Sequence, residues 1–482
     1  MNRRMVFYML GQIVRMEAAL LVLPLVVSLI YGEYTTLWSF LIAAAAAMVG
    51  GTLLTVISRP RSQVIFAKEG FVIVALAWLL VSAVGALPFT ISGGIPSYTD
   101  AFFETVSGFT TTGSSILTDV ESMSRGLLFW RSFTHWIGGM GVLVLVMAVV
   151  PSKSGRSMHI LRAEMPGPII GKLVPRVRDT AKILYCIYLG ITAVLFLLLL
   201  CGGMSVFDSL LHAFGTAGTG GFGVRSDSIA SYSPYLQWVI AVGMLAFGIN
   251  FNLYYLILIR RFRAAFKSGE LWCYLIIVLI ATGIITANTW SLYETAEETI
   301  RTAFFQVSSI TTTTGFVTTD YGTLWPGLSK AVLFLLTFIG GCAGSTAGGL
   351  KVSRVMLLFK SVRRDLRQHL HHRAVGVVKL EGKRVDDATV YGTGVYLALY
   401  LLIFITAFLL VSADSFDLET NISAVAACLN NVGPGLGKVG PAGSFAGYSD
   451  LSKWVLSFTM LFGRLELYPL LFALIPTTWT KK

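Results

Sequence analysis

The chain has 482 residues, of which 55% are hydrophobic and only 13% charged, about half the charge of a soluble globular protein. That balance excludes a soluble domain and makes the chain an integral membrane protein. Its net charge of +12 is scattered over connecting loops, with no single basic tract, so it speaks for membrane topology and against a nucleic-acid partner.

The chain opens on MNRR and the apolar run ALLVLPLVVSLI, which resemble a signal peptide. No small-residue cleavage site follows, so this segment is expected to be an uncleaved anchor. A spanning helix needs about 20 mostly apolar residues. Runs of that kind cover Met5 to Tyr31, Trp38 to Ile57, Phe71 to Ile91, Leu127 to Val150, Ile183 to Gly203 and Leu236 to Ile259. Leu271 to Ala287, Ala331 to Leu358, Val390 to Val411 and Trp454 to Ile475 complete the set. An all-α membrane protein of about ten spans is predicted, two leading and eight in four pairs. Arg15 and Glu17 shorten the first span and are expected at the membrane interface. The five cysteines, Cys186, Cys201, Cys273, Cys342 and Cys428, lie in apolar runs without metal spacing and read as buried apolar side chains. No segment shows a strand pattern.

Between the members of each pair a short Thr/Gly motif returns: FTTTGSS from Phe109, TAGTGGF from Thr216, TTTTGF from Thr311 and NNVGPG from Asn430. With Gly113, Gly220, Gly315 and Gly433 taken as equivalent, the copies recur at roughly 95 to 118 residues. Non-helical backbone at membrane depth is tolerated only where it lines a water or ion path. Four such loops on one axis make a ring of oxygens, with glycine allowing the backbone to turn its carbonyls and threonine adding hydroxyls. The alternative is ordinary polar turns between helices.

The trailing helices repeat as well. Gly139 in HWIGGMG and Gly341 in FIGGCAG each lie 26 positions beyond their loop glycines, Gly113 and Gly315. LAFGINFNLYYL from Leu245 pairs with MLFGRLELYPLL from Met460, so alternate units look related. Gly138 and Gly139 are read as helix-packing contacts. In the third unit GGCAGSTAGGLK, Gly340 to Lys351, packs five glycines around Ser345 and Thr346 in mid-span. Glycine is poor in helix interiors, so a loop within the membrane is expected, either a movable gate or a close-packing segment. Arg464 stands in the last span, where a charge costs about 2.5 to 3.5 kcal/mol on insertion. Either it faces the ion path as a barrier, or it pairs with Glu466 or another acceptor.

Basic loops at Arg3 and Arg4, Arg59 to Lys68, Lys153 to Lys182, Arg260 to Lys267, Lys360 to Arg384 and Lys481 to Lys482 are assigned to the cytoplasm, with both termini. The Thr/Gly loops then open outward, beneath a mouth of acids that includes Asp100, Glu104, Asp119, Glu121, Asp208 and Asp227. The patch RQHLHHR lacks zinc-ligand spacing, and His135, His159 and His212 are isolated, so no catalytic or metal constellation supports an enzyme.

Taken together, the four units, their loop glycines and above all GGCAGSTAGGLK resemble the Trk/Ktr/HKT superfamily of potassium-uptake proteins, nearest its bacterial TrkH type. The resemblance implies a pseudo-fourfold pore in the bacterial inner membrane, with K+ as the transported ion. Residues 1–68 would form a two-helix amino-terminal domain. Residues 69–165, 166–268, 269–376 and 377–482 would be the four pore units. It implies a selectivity filter from Thr111, Thr112, Gly113, Thr219, Gly220, Thr313, Thr314, Gly315, Val432 and Gly433, with K+ held by the carbonyls of Gly113, Gly220, Gly315 and Gly433. In plant relatives a serine at the first glycine goes with sodium transport; here Gly113 is present. Gly435 is a second candidate in NNVGPGLG, and NVG favours Gly433. Gating falls to Gly340, Gly341, Gly344, Ser345, Thr346, Gly348, Gly349 and Lys351, with Arg464. A homodimer is implied, together with a cytoplasmic TrkA-type RCK subunit that carries any ATP/ADP or NAD. The expected function is potassium uptake through a gated channel-like pore driven by membrane potential, the alternative being symport with protons or sodium.

Overall fold

A computed structural model describes residues 1–60, 66–141, 177–372 and 376–480. His159, most of the Lys153 to Lys182 loop, the end of the Leu127 to Val150 run, the unit boundary at 165/166 and Lys481 and Lys482 lie outside them. Six described helices are long and apolar enough to cross a membrane, and a seventh span arises if Pro234–Phe247 and Phe251–Leu258, bent by 91°, count as one.

The expected pairs are present, and their two members differ in build. The leading helix of each unit is long: Ala67–Gly85 continued by Leu87–Ile91, then Val177–Cys201, Gly269–Thr289 and Asp387–Val411. Each trailing helix stops or breaks. Arg125–Gly139 ends at Gly141 in positive φ, and Pro234–Phe247 bends at Gly248. Gly327–Ile339 gives way to a loop before Val352–Leu370, and Asp450–Arg464 is parted from Tyr468–Leu474 by Glu466 and Leu467, both in positive φ. The first and third breaks fall at glycine-rich motifs, where helix propensity is lowest, the second at the single Gly248, and the fourth just before Pro469.

Between each pair runs a short helix buried along much of its length: Tyr98–Phe109, Val206–Gly218, Ala296–Thr311 and Leu418–Asn430. Each starts on a side-chain N-cap, with Ser97, Ser205, Thr295 and Asp417 accepting from the backbone N–H of Asp100, Asp208, Glu298 and Thr420. Their carboxyl ends run straight into the Thr/Gly loops.

The amino-terminal helices pack through close glycine contacts, Gly11 against the backbone of Gly51. Glu33 accepts from the N–H groups of Arg125 and Gly126 at 2.7 and 2.9 Å, so this domain caps the first trailing helix. Glu17 is buried, 3% exposed, with a carboxylate oxygen against Gly85. Two expectations are corrected. A small hairpin exists, β1 Lys379–Leu380 and β2 Lys383–Arg384, joined by Glu381 and Gly382 with φ of 50° and 72°. Two-residue strands are too short for alternation to show in sequence. Of the cysteines, all free, only Cys342 and Cys428 are buried; Cys186 and Cys201 are exposed among apolar neighbours.

Candidate functional site

The four Thr/Gly loops share one backbone signature. Thr111, Thr219, Thr313 and Asn431 have φ of 54°, 56°, 55° and 55°, and two residues later Gly113, Gly221, Gly315 and Gly433 have φ of 83°, 77°, 84° and 101°. This corrects the register of the second loop. Gly221 is the counterpart of Gly113, while Gly220 matches Thr112, Thr314 and Val432. TGG offers two glycines in a row, and only the backbone conformation separates them. In the fourth loop Gly433 carries the signature, whereas Gly435 packs aside against Ser423 and Val439.

The loops close on one another in order. A Cβ on Gly113 would strike the carbonyl of Gly220, one on Gly221 the carbonyl of Thr314, and one on Gly315 the carbonyl of Val432. The circle ends at Gly433, whose Cβ would lie 2.7 Å from the carbonyl oxygen of Thr112. Each glycine thus abuts the next loop's carbonyl, and the fourth loop returns to the first. Thr111 Oγ1 is buried there with no hydrogen-bond partner among the described residues. All four short helices direct their carboxyl ends at this ring, and each such end carries roughly half a negative charge.

Buried polar links hold the ring. Thr110 and Thr112 join hydroxyls at 2.7 Å, as do Thr312 and Thr314, which shows the kinship of units one and three. Ser114 Oγ donates to the Gly433 carbonyl at 3.1 Å and Asn431 Nδ2 to Thr112 Oγ1 at 2.9 Å, tying the first loop to the fourth. His135 bridges units one and two: Nδ1 bonds the Gly108 carbonyl at 2.7 Å, and Nε2 accepts from the Phe222 N–H at 3.3 Å. Those partners require the Nδ1–H tautomer. Behind them Arg131 pairs with Glu104 at 2.6 Å and lies 3.5 Å over the Phe222 ring. His135, Arg131 and Glu104 were missed as structural parts of the site: the partners of His135 are backbone atoms, and Arg131 and Glu104 meet from different helices 27 positions apart, at no local spacing.

The mouth differs from the acidic vestibule expected. A cavity of about 530 Å³ sits on the ring, lined by Gly113, Gly221, Gly315 and Gly433, and its charged lining is Asp227 with Arg131 and Arg225. Glu104 is spent on Arg131 and Asp100 on Lys453.

On the opposite side of the ring lies the Gly340 to Lys351 segment, non-helical as expected. The Gly348 N–H donates to Thr313 Oγ1 at 2.6 Å and the Gly349 N–H to the Asn430 carbonyl at 3.1 Å, so the loop is attached to the ring itself. Gly340 and Gly344 take positive φ, Ser345 Oγ donates to the Cys342 carbonyl, and Thr346 Oγ1 to the Phe247 carbonyl. Gly341 accepts from the Val352 N–H at 3.0 Å, and Lys351 turns its ammonium onto the Ala347 carbonyl. Arg464 crosses to this loop, donating to Thr346 O at 2.9 Å and to the Gly138 and Gly139 carbonyls at 2.5 and 2.7 Å. Gly138 and Gly139 therefore do more than pack helices. Glu466, the acceptor first considered for Arg464, forms a two-pronged contact with Arg354.

Comparison with known proteins agrees with this architecture. Residues 38–479 match the model of the TrkH family, described as a cation transport protein. The chain is 38% identical over 485 residues to the Trk system potassium uptake protein TrkH of Salmonella typhimurium, covering 99% of this chain and all of that one. It is 34% identical to TrkG of Escherichia coli, with 97% of each covered. It also matches the crystal structure of the potassium transporter TrkH from Vibrio parahaemolyticus, with a TM-score of 0.89, 32% identity and full coverage of both chains. On these grounds the chain belongs to the TrkH family of cation transport proteins.

Proposed function

We propose that this chain takes up potassium through a gated, channel-like pore whose filter is the ring of Thr/Gly loops. The observation that carries the reading is the closed circle of contacts from Gly113 through Gly221 and Gly315 to Gly433 and back to Thr112. Alternation of positive and ordinary φ turns successive peptide planes, the arrangement that aims carbonyl oxygens at a dehydrated cation. The carbonyls of Thr112, Gly220, Thr314 and Val432 and those of the four ring glycines are the ligands assigned to K+. Four helix carboxyl ends favour positive charge at this place.

The loop from Gly340 to Lys351 is the gate, with Arg464 as its clasp and its fixed positive charge. A negative cell interior draws a cation inward with roughly 2.3 kcal/mol per charge for each 100 mV. The relatives' shared name, Trk system, supports a multicomponent assembly. Within it we assign this chain to an inner-membrane homodimer with cytoplasmic termini, controlled by a nucleotide-binding TrkA-type subunit.

The test is flux into proteoliposomes that hold only this chain. Rubidium or potassium uptake that follows an imposed potential, without a proton or sodium gradient, is expected. Uptake only in the presence of such a gradient replaces the pore with a coupled symporter.

A further inference from the structure

Glu270 is the first acidic residue of the long Gly269–Thr289 helix and is 7% exposed. One of its oxygens, Oε1, accepts from the N–H of Ala343 at 2.7 Å and from the N–H of Ser353 at 3.1 Å. The first donor lies in the opening residues of the mid-membrane loop and the second just beyond its end, in the helix that follows. Lys351 enters the Val352–Leu370 helix with φ of 75°, and no side chain of its own caps that helix. Glu270 supplies the cap from another helix and, with the same atom, holds the incoming strand of the loop. Hydrogen bonds from N–H groups to a carboxylate are about twice as strong as neutral ones.

A second carboxylate stands behind the first. Glu381, in the turn of the β1–β2 hairpin, accepts from Ser268 Oγ at 3.2 Å, from the Gly269 N–H at 3.3 Å and from the Glu270 N–H at 2.9 Å. The hairpin therefore grips the start of the helix whose first carboxylate grips the loop. From the exposed turn to the ring the connection is continuous: Glu381, Glu270, Ala343 and Ser353, then Gly348 on Thr313.

We infer that Glu270 is the latch of the mid-membrane loop and Glu381 the positioning residue that sets the latch, so that displacement of the β1–β2 hairpin is transmitted to the loop. This rests on the reading of that loop as the gate. Cys342, fully buried within the loop, is a built-in reporter of its release.

The experiment uses the full-length protein in proteoliposomes. The rate at which a charged, water-soluble methanethiosulfonate labels Cys342 is read by peptide mass spectrometry, beside potassium flux. Losing the paired acceptor in Glu270→Ala is expected to speed Cys342 labelling about tenfold and to raise basal flux. Glu270→Gln keeps an acceptor oxygen and should restore most of the protection. Glu381→Ala should speed labelling less, and the double variant should label no faster than Glu270→Ala alone, because the two act in series. Wild-type labelling in folded Glu270→Ala overturns the latch. If that variant does not fold, wild-type labelling in Glu381→Ala overturns the relay. Faster labelling with unchanged flux upholds the latch and removes the loop as gate.

Discussion

Arg464 donates to the carbonyl of Thr346 at 2.9 Å, so the last trailing helix holds the mid-membrane loop near its centre. The same guanidinium reaches Gly138 and Gly139 in the first unit, and the loop belongs to the third. Three units are thereby fastened just inside the ring. Hydrogen bonds to a charged group contribute about 1.5 to 3 kcal/mol each, and every 1.4 kcal/mol is about tenfold in an equilibrium. Arg464→Ala is expected to raise potassium flux at least about tenfold, measured in proteoliposomes at fixed potential. Arg464→Lys, with one point charge in place of a fork, should fall between. Flux unchanged in Arg464→Ala would show that the contacts are only structural.

The proposed filter role of Gly113 carries a prediction about selectivity. Any side chain there meets the Gly220 carbonyl, and φ of 83° is strained for residues with a Cβ. Gly113→Ser should lower the preference for potassium over sodium, read as a shift in the reversal potential under mixed-ion conditions. An unshifted reversal potential with full expression would take Gly113 out of the filter.

Much of this was legible in the sequence, for a physical reason. Non-helical backbone at membrane depth is costly unless protein or water satisfies it, so the four Thr/Gly loops and the Gly340 to Lys351 break stood out. Register within a loop did not, since TGG at Thr219 leaves the choice between Gly220 and Gly221 to backbone torsion. The partners of Arg464 are carbonyls 118, 325 and 326 positions away, which no side-chain pattern marks. Glu104 looked like one more loop acid, and only folding turns it inward onto Arg131.

The corrected register makes its own prediction. A Cβ on Gly220 would meet the His135 ring, whereas one on Gly221 would meet the Thr314 backbone in a φ of 77°. A side chain can be trimmed and a backbone cannot. Transport by Gly220→Ala should therefore improve when His135→Ala is added, judged by growth on limiting potassium or by rubidium uptake. Gly221→Ala should gain nothing from the same change. Rescue of Gly221→Ala but not of Gly220→Ala would return the second loop to the register first expected.

Loss of the loop tests the gate most directly. Residues Gly344 to Gly349 contain the carbonyl that Arg464 holds and the N–H groups that bind Thr313 and Asn430. Shortening this stretch should raise basal flux while leaving the reversal potential in mixed ions unmoved, because the ring above it stays intact. A folded protein with no flux would count against a gate.

Beneath the outer cavity, Glu104 and Arg131 are both almost wholly buried at 2.6 Å, and Glu104 also accepts from Ser115 Oγ and the Ile116 N–H. Removing one member of such a pair leaves an uncompensated buried charge, a loss of about 3 to 5 kcal/mol. Arg131→Met should therefore lower the melting temperature of the detergent-solubilised protein well below that of a surface control such as Arg384→Met. Replacing both members, Glu104→Gln with Arg131→Met, leaves no net charge behind and should recover part of the loss. The double variant keeps its fold but lacks the guanidinium that holds Phe222 and the Gly223 carbonyl beside the ring. Its potassium preference should stay below wild type even where its stability returns, which separates the pair's part in holding the second loop from its part in folding.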